Sequence, residues 1–367
     1  AMNAGAGAVM VTGSHIPADR NGLKFYTPEG EITKAHEAAI LAALGGDNND
    51  LAGPEPVQNT TAGAEYVARF VTAYGPALTG MTIGVYAHSA VGRDLLADVL
   101  TGLGASVVDL GRSPTFIPVD TEAVAPDVRA ALRDWAGQGV DAIVSTDGDG
   151  DRPLVTDASG AVIVGDVLGQ ITGASLGAEV AVTPVSSNTG AEGRFARVIR
   201  TRIGSPYVIA GMESAGGDVV GYEANGGFLL GFASRGLAPL MTRDSVLPLL
   251  VPLIAAQSTL AALVATQPPR FTAADRLQGV PTEQSLALVS ALRDDADARA
   301  AFLAGFGADA VSVDVTDGLR MTLDDGRIVH LRPSGNAPEF RCYTEADSAD
   351  RAGALLDVYL KKLQATL

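Results

Sequence analysis

Three aspartates alternate with glycine in Asp147-Gly-Asp-Gly-Asp151, and Arg152 follows at once. Carboxylates at i, i+2 and i+4 in a loop loosened by glycine can turn toward one centre, where they repel one another unless a cation sits among them. An all-oxygen donor set suits Mg2+ or Ca2+ and not zinc. An EF-hand loop does not fit: its sixth position must be glycine and is Arg152, and its twelfth must be glutamate and is Ala158. Arg152 can hold a phosphate oxygen through a forked pair of hydrogen bonds. The plain alternative for the stretch is a solvated acidic turn.

A second loop places Ser14 after the apolar run Ala8 to Thr12, with His15 beside it and Lys24 further on. A serine hydroxyl is a weak nucleophile and needs a base or a polarising cation. It can instead work already phosphorylated, carrying a charge of about −1.5 to −2 near neutral pH, and it then calls for Mg2+ and cationic side chains around it. Taken alone, the Ser-His pair reads first as an ordinary turn. In Glu223-Ala-Asn-Gly-Gly227, the carboxylate and amide of Glu223 and Asn225 suit adjacent sugar hydroxyls, and the stretch equally suits a strand-end turn. In Arg332-Pro-Ser-Gly-Asn336, with Arg341 on the next strand, a guanidinium, a hydroxyl, an amide and glycine-exposed N–H groups make an anion cradle or a capped hairpin loop.

Each of these loops follows a predicted strand. Strands at Ala8–Thr12, Met81–Ala87, Ser106–Leu110, Val140–Ser145, Glu179–Thr183, Val198–Thr201 and Val219–Glu223 alternate with helices at Thr33–Leu44, Gly92–Leu103, Asp127–Gln138, Asp166–Leu176, Ala191–Phe195 and Tyr207–Ala215. Such alternation predicts largely parallel, layered sheets, with ligand sites beyond the carboxyl ends of the strands. Leu154 to Val164 reads as a hairpin, and Leu247 to Val264 as one apolar helix. After Pro268-Pro269 the texture changes: short alternating strands at Val311–Val315, Leu319–Leu323, Arg327–Leu331 and Phe340–Thr344 precede an amphipathic helix, Asp347–Leu363. Arg202 to Tyr207 reads as a helix start with Ser205 as cap, and His88 to Arg93 as a structural loop.

The 367 residues carry a formal net charge of −16, which argues against nucleic acid and anionic membrane surfaces as partners. The single cysteine, Cys342, rules out an internal disulfide and fits a reducing, cytoplasmic compartment. No signal segment is visible. The apolar run Val246–Ala265 is interrupted by Pro248 and Pro252, and is expected to be buried core. The chain opens almost directly on a strand, so the N-terminal part of the first α/β domain is expected to be missing from this sequence.

Together, and in this order, the four loops resemble those of the α-D-phosphohexomutase superfamily, specifically its phosphomannomutase/phosphoglucomutase branch. Thr12 to Pro17 matches its Thr-x-Ser-His-x-Pro phosphoserine loop, Asp147 to Arg152 its Asp-Gly-Asp-x-Asp-Arg magnesium loop, Glu223 to Gly226 its sugar loop, and Arg332 to Asn336 its phosphate loop. The resemblance implies an α/β protein with three similar layered domains, the first incomplete (1–61, 62–165 and 166–268), and a C-terminal α+β domain (269–367) around a central cleft. It implies a mutase that interconverts hexose 6-phosphate and hexose 1-phosphate, mannose foremost and glucose also, through phospho-Ser14 and a hexose 1,6-bisphosphate. Ser14, Asp147, Asp149 and Asp151 would hold Mg2+, and His15, Lys24 and Arg152 would assist transfer. Glu223 and Asn225 would read the sugar, and Arg332, Ser334, Gly335, Asn336 and Arg341 the phosphate at rest. The sequence departs from the pattern at Ile16, where the family has Asn, and in lacking the family's N-terminal Gly-Thr-Ser/Gly-x-Arg-Gly motif. A phosphoglucosamine mutase, or a sugar-phosphate-binding protein without turnover, is the alternative.

Overall fold

A computed structural model describes residues 1–14, 19–45, 55–304, 310–334 and 338–367. The first sheet is a small antiparallel one, β1 (Ala8–Thr12), β2 (Gly22–Thr27) and β3 (Gly30–Glu31), followed by α1 (Lys34–Ala43). β2 is a correction: Lys24 lies on a strand, paired with Met10 of β1, where the sequence reading has no strand between Thr12 and the helix at Thr33.

The second unit begins with α2 (Ala62–Tyr74) and builds the sheet order β5-β4-β6-β7-β8 from β4 (Thr82–Tyr86), β5 (Ser106–Leu110), β6 (Ala142–Thr146), β7 (Pro153–Thr156) and β8 (Val162–Ile163). Helices α3 (Arg93–Gly102) and α4 (Pro126–Ala136) make the crossovers. β4 runs parallel to β5 and β6, and β7 turns back antiparallel to β6, with Thr146 opposite Pro153. The entire acidic loop is therefore the turn between two buried strands.

The third unit repeats the plan with β9 (Val180–Pro184), β10 (Arg197–Thr201), β11 (Val219–Tyr222), β12 (Phe228–Leu230) and β13 (Leu240–Asp244), in the order β10-β9-β11-β12-β13. Its helices are α5 (Gly165–Leu176) and α6 (Ser205–Ala215). β9 is parallel to β10 and β11, and β12 returns antiparallel with Tyr222 opposite Phe228. The sugar loop thus occupies the same place in this sheet as the acidic loop in the last.

Three local expectations change. Leu247 to Val264 is two helices, α7 (Val246–Ala255) and α8 (Leu260–Ala265). The break falls at polar residues, where the Thr259 hydroxyl accepts the Ala262 N–H and starts a new helix. Ala191 to Phe195 gives only a single 3-10 turn, Thr189–Gly193, capped by Asn188. Ser205 is not the cap of α6: Gly204 takes that place at φ 128°, and the Ser205 hydroxyl donates to Glu31 at 2.5 Å.

One apolar core runs continuously through the second and third units, from Phe70 and Ile83 to Tyr222 and Leu250. The fourth unit has its own core around Leu331, Phe340, Cys342 and Tyr359. Its antiparallel sheet, β14-β18-β17-β16-β15, is made of β14 (Phe271–Gln278), β15 (Ala310–Asp314), β16 (Leu319–Leu323), β17 (Ile328–Pro333) and β18 (Glu339–Ala346), with α9 (Thr282–Asp294), α10 (Ala296–Leu303) and α11 (Ala349–Thr366) beside it. Among the described residues no helix is long and apolar enough to cross a membrane.

Candidate active site

Ser14 leaves β1 in the left-handed backbone region, at φ 52°. For a residue with a side chain that conformation costs roughly 1–3 kcal/mol. The Thr12 hydroxyl offsets part of it by accepting the Ser14 N–H at 2.8 Å. The turn aims the Ser14 hydroxyl at the acidic loop, where it donates to Asp147 Oδ2 at 2.7 Å. Gly148 permits the approach: a Cβ there would lie 2.6 Å from the Ser14 carbonyl oxygen.

The three aspartates face one point, each with an oxygen within 4.8 Å of the others. Asp147 Oδ1 accepts the N–H groups of Gly150 and Arg152, both at 3.2 Å. Lys24 donates to Asp149 Oδ2 at 2.6 Å and to Asp151 Oδ2 at 2.8 Å, and Thr12 also donates to Asp149 Oδ2 at 2.9 Å. Asp149 Oδ1 and Asp151 Oδ1 are buried with no hydrogen-bond partner. Two buried carboxylate oxygens without hydrogen-bond partners in an all-oxygen cluster are the kind of donor set that a hard cation takes. These residues therefore fit a divalent metal.

The electrostatics agree. Burial, and then repulsion from Asp151 and Asp149, pushes the Asp147 carboxyl up to about 7. Burial acts the same way on Asp149, but the Lys24 hydrogen bond and charge outweigh it and hold that group at about 2. Lys24 itself is held above the ordinary lysine value: burial opposes its charge, and Asp151 and Asp149 overcome the opposition. Arg152 Nε lies 3.8 Å from both Asp147 Oδ2 and Asp151 Oδ1.

The Glu223 loop lines a cavity of about 820 Å³ together with Arg152, at the end of the acidic loop, and Arg243; the cavity also reaches the fourth unit at Arg341 and Tyr343. Glu223 is buried, and burial raises its carboxyl against the pull of Arg243 and Arg152. Asn225 Oδ1 accepts the Gly227 N–H at 3.0 Å, and Thr121 donates to the Asn225 carbonyl at 2.9 Å, so the second unit steadies the loop. Gly226 takes φ +88°, and its neighbour Gly165 approaches so closely that a Cβ on it would lie 2.3 Å from the Gly226 nitrogen.

The phosphate loop is held differently. Arg332 Nε donates to Asp317 Oδ2 at 2.9 Å, and that carboxylate also accepts the Ile203 N–H at 3.1 Å. Ser334 is buried, and its N–H donates to the Glu339 carbonyl. Arg341 is ion-paired to Glu339 at 3.3 Å and lines the cavity. His15, Gly335 and Asn336 lie outside the described residues. His88 serves structure: it is fully buried, with Nε2 2.9 Å from the Thr146 carbonyl.

Four models of phosphoglucomutase/phosphomannomutase domains match the chain in order: α/β/α domain I over residues 1–49, domain II over 64–160, domain III over 156–271 and the C-terminal domain over 280–361. The chain belongs to the phosphoglucomutase/phosphomannomutase family. It is 44% identical to a phosphomannomutase of Sinorhizobium fredii, over 99% of this chain and 81% of that protein. The family fold is also that of a phosphoglucomutase/phosphomannomutase family protein from Burkholderia thailandensis, with a TM-score of 0.78 at 21% identity, covering 98% of this chain and 76% of that one. An Aspergillus fumigatus N-acetylphosphoglucosamine mutase, solved with GlcNAc-6P and magnesium, superposes with a TM-score of 0.66 at 15% identity, covering 100% and 90%.

Arg243 and Glu31 escaped sequence reading. Arg243 is ion-paired to Asp151 Oδ2 at 3.0 Å and hydrogen-bonded to Glu31 Oε1 at 3.3 Å. It stands on β13 in no recognisable motif, and only the folded chain brings it to the acidic loop.

Proposed function

We propose that this protein is a phosphohexomutase that interconverts hexose 6-phosphate and hexose 1-phosphate, mannose foremost and glucose also, through phospho-Ser14 and a hexose 1,6-bisphosphate. The observation that carries the reading is the Ser14 hydroxyl set 2.7 Å from Asp147 inside a triad with two unmatched oxygens. The name of the Sinorhizobium relative supports mannose phosphate as the first substrate, and the oxygen-only donor set and the magnesium in the Aspergillus structure support Mg2+ as the ion.

In the forward step the bond from phosphorus to Ser14 Oγ breaks, and one forms to a sugar hydroxyl oxygen, whose proton leaves to a base. After the bisphosphate reorients, its other phosphoryl group returns to Ser14 Oγ. Asp147, Asp149 and Asp151, with a phosphoserine oxygen, would hold Mg2+, which when bound neutralises charge on the transferring group. Lys24 keeps its proton between Asp149 and Asp151, and so supplies positive charge and an acid. We assign base duty to His15. Arg152 grips the transferring phosphate, and Glu223 and Asn225 bind the sugar hydroxyls. Arg332, Ser334, Gly335, Asn336 and Arg341 hold the phosphate that is not reacting. The buried lone thiol of Cys342 and the charged substrates fit a cytoplasmic enzyme.

The test is Ser14→Ala. Mutase activity should fall by more than about 1000-fold, and intact mass should lose the singly phosphorylated species. Normal turnover in that variant would sink the mechanism. Rates with mannose, glucose and glucosamine phosphates decide the substrate, and a clear preference for the amino sugar would overturn the mannose assignment.

A further inference from the structure

Arg243 touches three parts of the site at once. Its side chain is only 10% exposed. One guanidinium nitrogen, Nη2, is 3.0 Å from Asp151 Oδ2 in the acidic loop. Another, Nε, donates to Glu31 Oε1 at 3.3 Å, and Glu31 sits on β3 in the segment that carries Ser14 and Lys24. The aliphatic stem crosses the sugar loop: a Cβ built on Gly227 would lie 2.9 Å from Arg243 Cδ and 3.2 Å from Cγ. Glu31 is itself fixed from the third unit by the hydroxyls of Ser205 and Thr242.

The two Asp151 oxygens differ in what they meet, and Oδ1 has the Arg152 guanidinium at 3.8 Å beside it. Oδ2 is taken by Arg243 and Lys24, and Oδ1 stays buried without a hydrogen-bond partner. Lys24 bridges two aspartates and competes with any incoming cation for them. Arg243 approaches from the sugar-loop side, and its second partner, Glu31, is not part of the triad. A forked guanidinium can hold both acids at once, which an ammonium cannot match.

We propose that Arg243 is a positioning residue that orients Asp151 for a divalent cation and spaces the sugar loop from the acidic loop, with Gly227 being glycine because the Arg243 stem needs its room. The first half rests on reading Asp147, Asp149 and Asp151 as a metal site. Charge alone and positioning predict opposite signs. Removing a cation beside a metal ligand should tighten Mg2+ binding if Arg243 merely repels the ion. It should weaken binding by about 10-fold if Arg243 orients the ligand, as loss of an outer-shell partner does.

The test is a Mg2+ titration by calorimetry on the parent, Arg243→Ala and Arg243→Lys, with no sugar present. Binding about 10-fold weaker in Arg243→Ala, and intermediate in Arg243→Lys, is expected. Unchanged or tighter binding in either variant overturns the proposal. A second measurement uses neither metal nor sugar: thermal midpoints of Gly227→Ala in the parent and in the Arg243→Ala background. The added methyl should lower the midpoint clearly in the parent and by much less where the stem is gone. Equal drops in both overturn the packing half. If Arg243→Ala does not fold, Arg243→Lys and Glu31→Gln carry the titration, each with a weakening of a few fold expected and parent-like binding fatal. A parent that binds Mg2+ but does not isomerise sugar phosphates would refute the mutase reading and leave this proposal standing, so the two fail separately.

Discussion

The second and third units have the same sheet order and the same direction of every strand, and each places its site loop in the turn between the third strand and the antiparallel fourth. Their chemistry differs entirely. The turn from Asp147 to Arg152 carries three carboxylates that converge, and two of their oxygens are left without partners. The turn from Glu223 to Gly227 carries one buried carboxylate and an amide whose oxygen is spent on its own backbone. The comparison teaches that the fold supplies a place, while loop side chains set its chemistry: a cluster of carboxylates in one turn, and a single carboxylate beside an amide in the other. It also shows that neither turn is built alone: Ser245 of the third unit donates to the Gly150 carbonyl at 2.7 Å, and Thr121 of the second donates to the Asn225 carbonyl.

The contrast can be broken in order of effect. Asp149→Ala removes a carboxylate from the acidic turn; if that turn holds the ion as proposed, turnover should fall about 100- to 1000-fold together with Mg2+ affinity measured by titration. Glu223→Gln, in the turn proposed to bind the sugar hydroxyls, should lower kcat/KM about 10- to 100-fold, the scale of a hydrogen bond to a charged group, and leave Mg2+ affinity as it was. Loss of metal binding in Glu223→Gln would erase the distinction between the loops. Glycine replacements separate aim from stability. Gly226→Ala puts a side chain at φ +88° with its Cβ 2.6 Å from Pro153 Cγ, so denaturant melts should show a loss of about 1–3 kcal/mol. Gly148→Ala meets the Ser14 carbonyl instead, and steady-state kinetics should show a lower kcat with a smaller change in stability.

The smallest effect concerns Asp166, in the first turn of α5. It is fully buried, accepts the Asn188 N–H at 2.9 Å, and burial lifts its carboxyl to about 6. A carboxyl raised in the folded state contributes stability that is present below its unfolded value near 4 and is lost as pH rises through about 6. Asp166→Asn should flatten the corresponding part of the stability–pH curve, with a slope change of at most about 1.4 kcal/mol per pH unit. A curve unchanged by the substitution would refute the assignment.

Much of this was legible in the sequence because periodicity and loop chemistry are local. The alternation from Met81 to Glu223 gave the two layered sheets, since buried parallel strands read as apolar runs. The Asp147 loop stood out because three carboxylates are costly to place together without a cation, whereas the Ser14 loop gained its weight only from the three other loops in the same order. β2 did not stand out: Gly22 to Thr27 is half exposed, so its strand pattern is weak. The break between α7 and α8 was masked by the apolar residues around it. Arg243 was invisible for a different reason. An arginine on a strand is unremarkable until the sheet and the loop of another domain bring Asp151 and Glu31 to it, and that is tertiary information.

The apolar core shared by the second and third units has a calorimetric consequence. The two similar sheets share one large apolar cluster, beside a smaller cluster that each keeps to itself, whereas the fourth sheet shares none of it and has a core of its own. Heating should therefore melt the paired modules as one cooperative block and the C-terminal module as another, giving one heat-absorption peak for the pair where separate modules would give two. Two similar modules would then be halves of one thermodynamic body, and the C-terminal module the part that loosens while the acidic loop and the Glu223 loop stay in register.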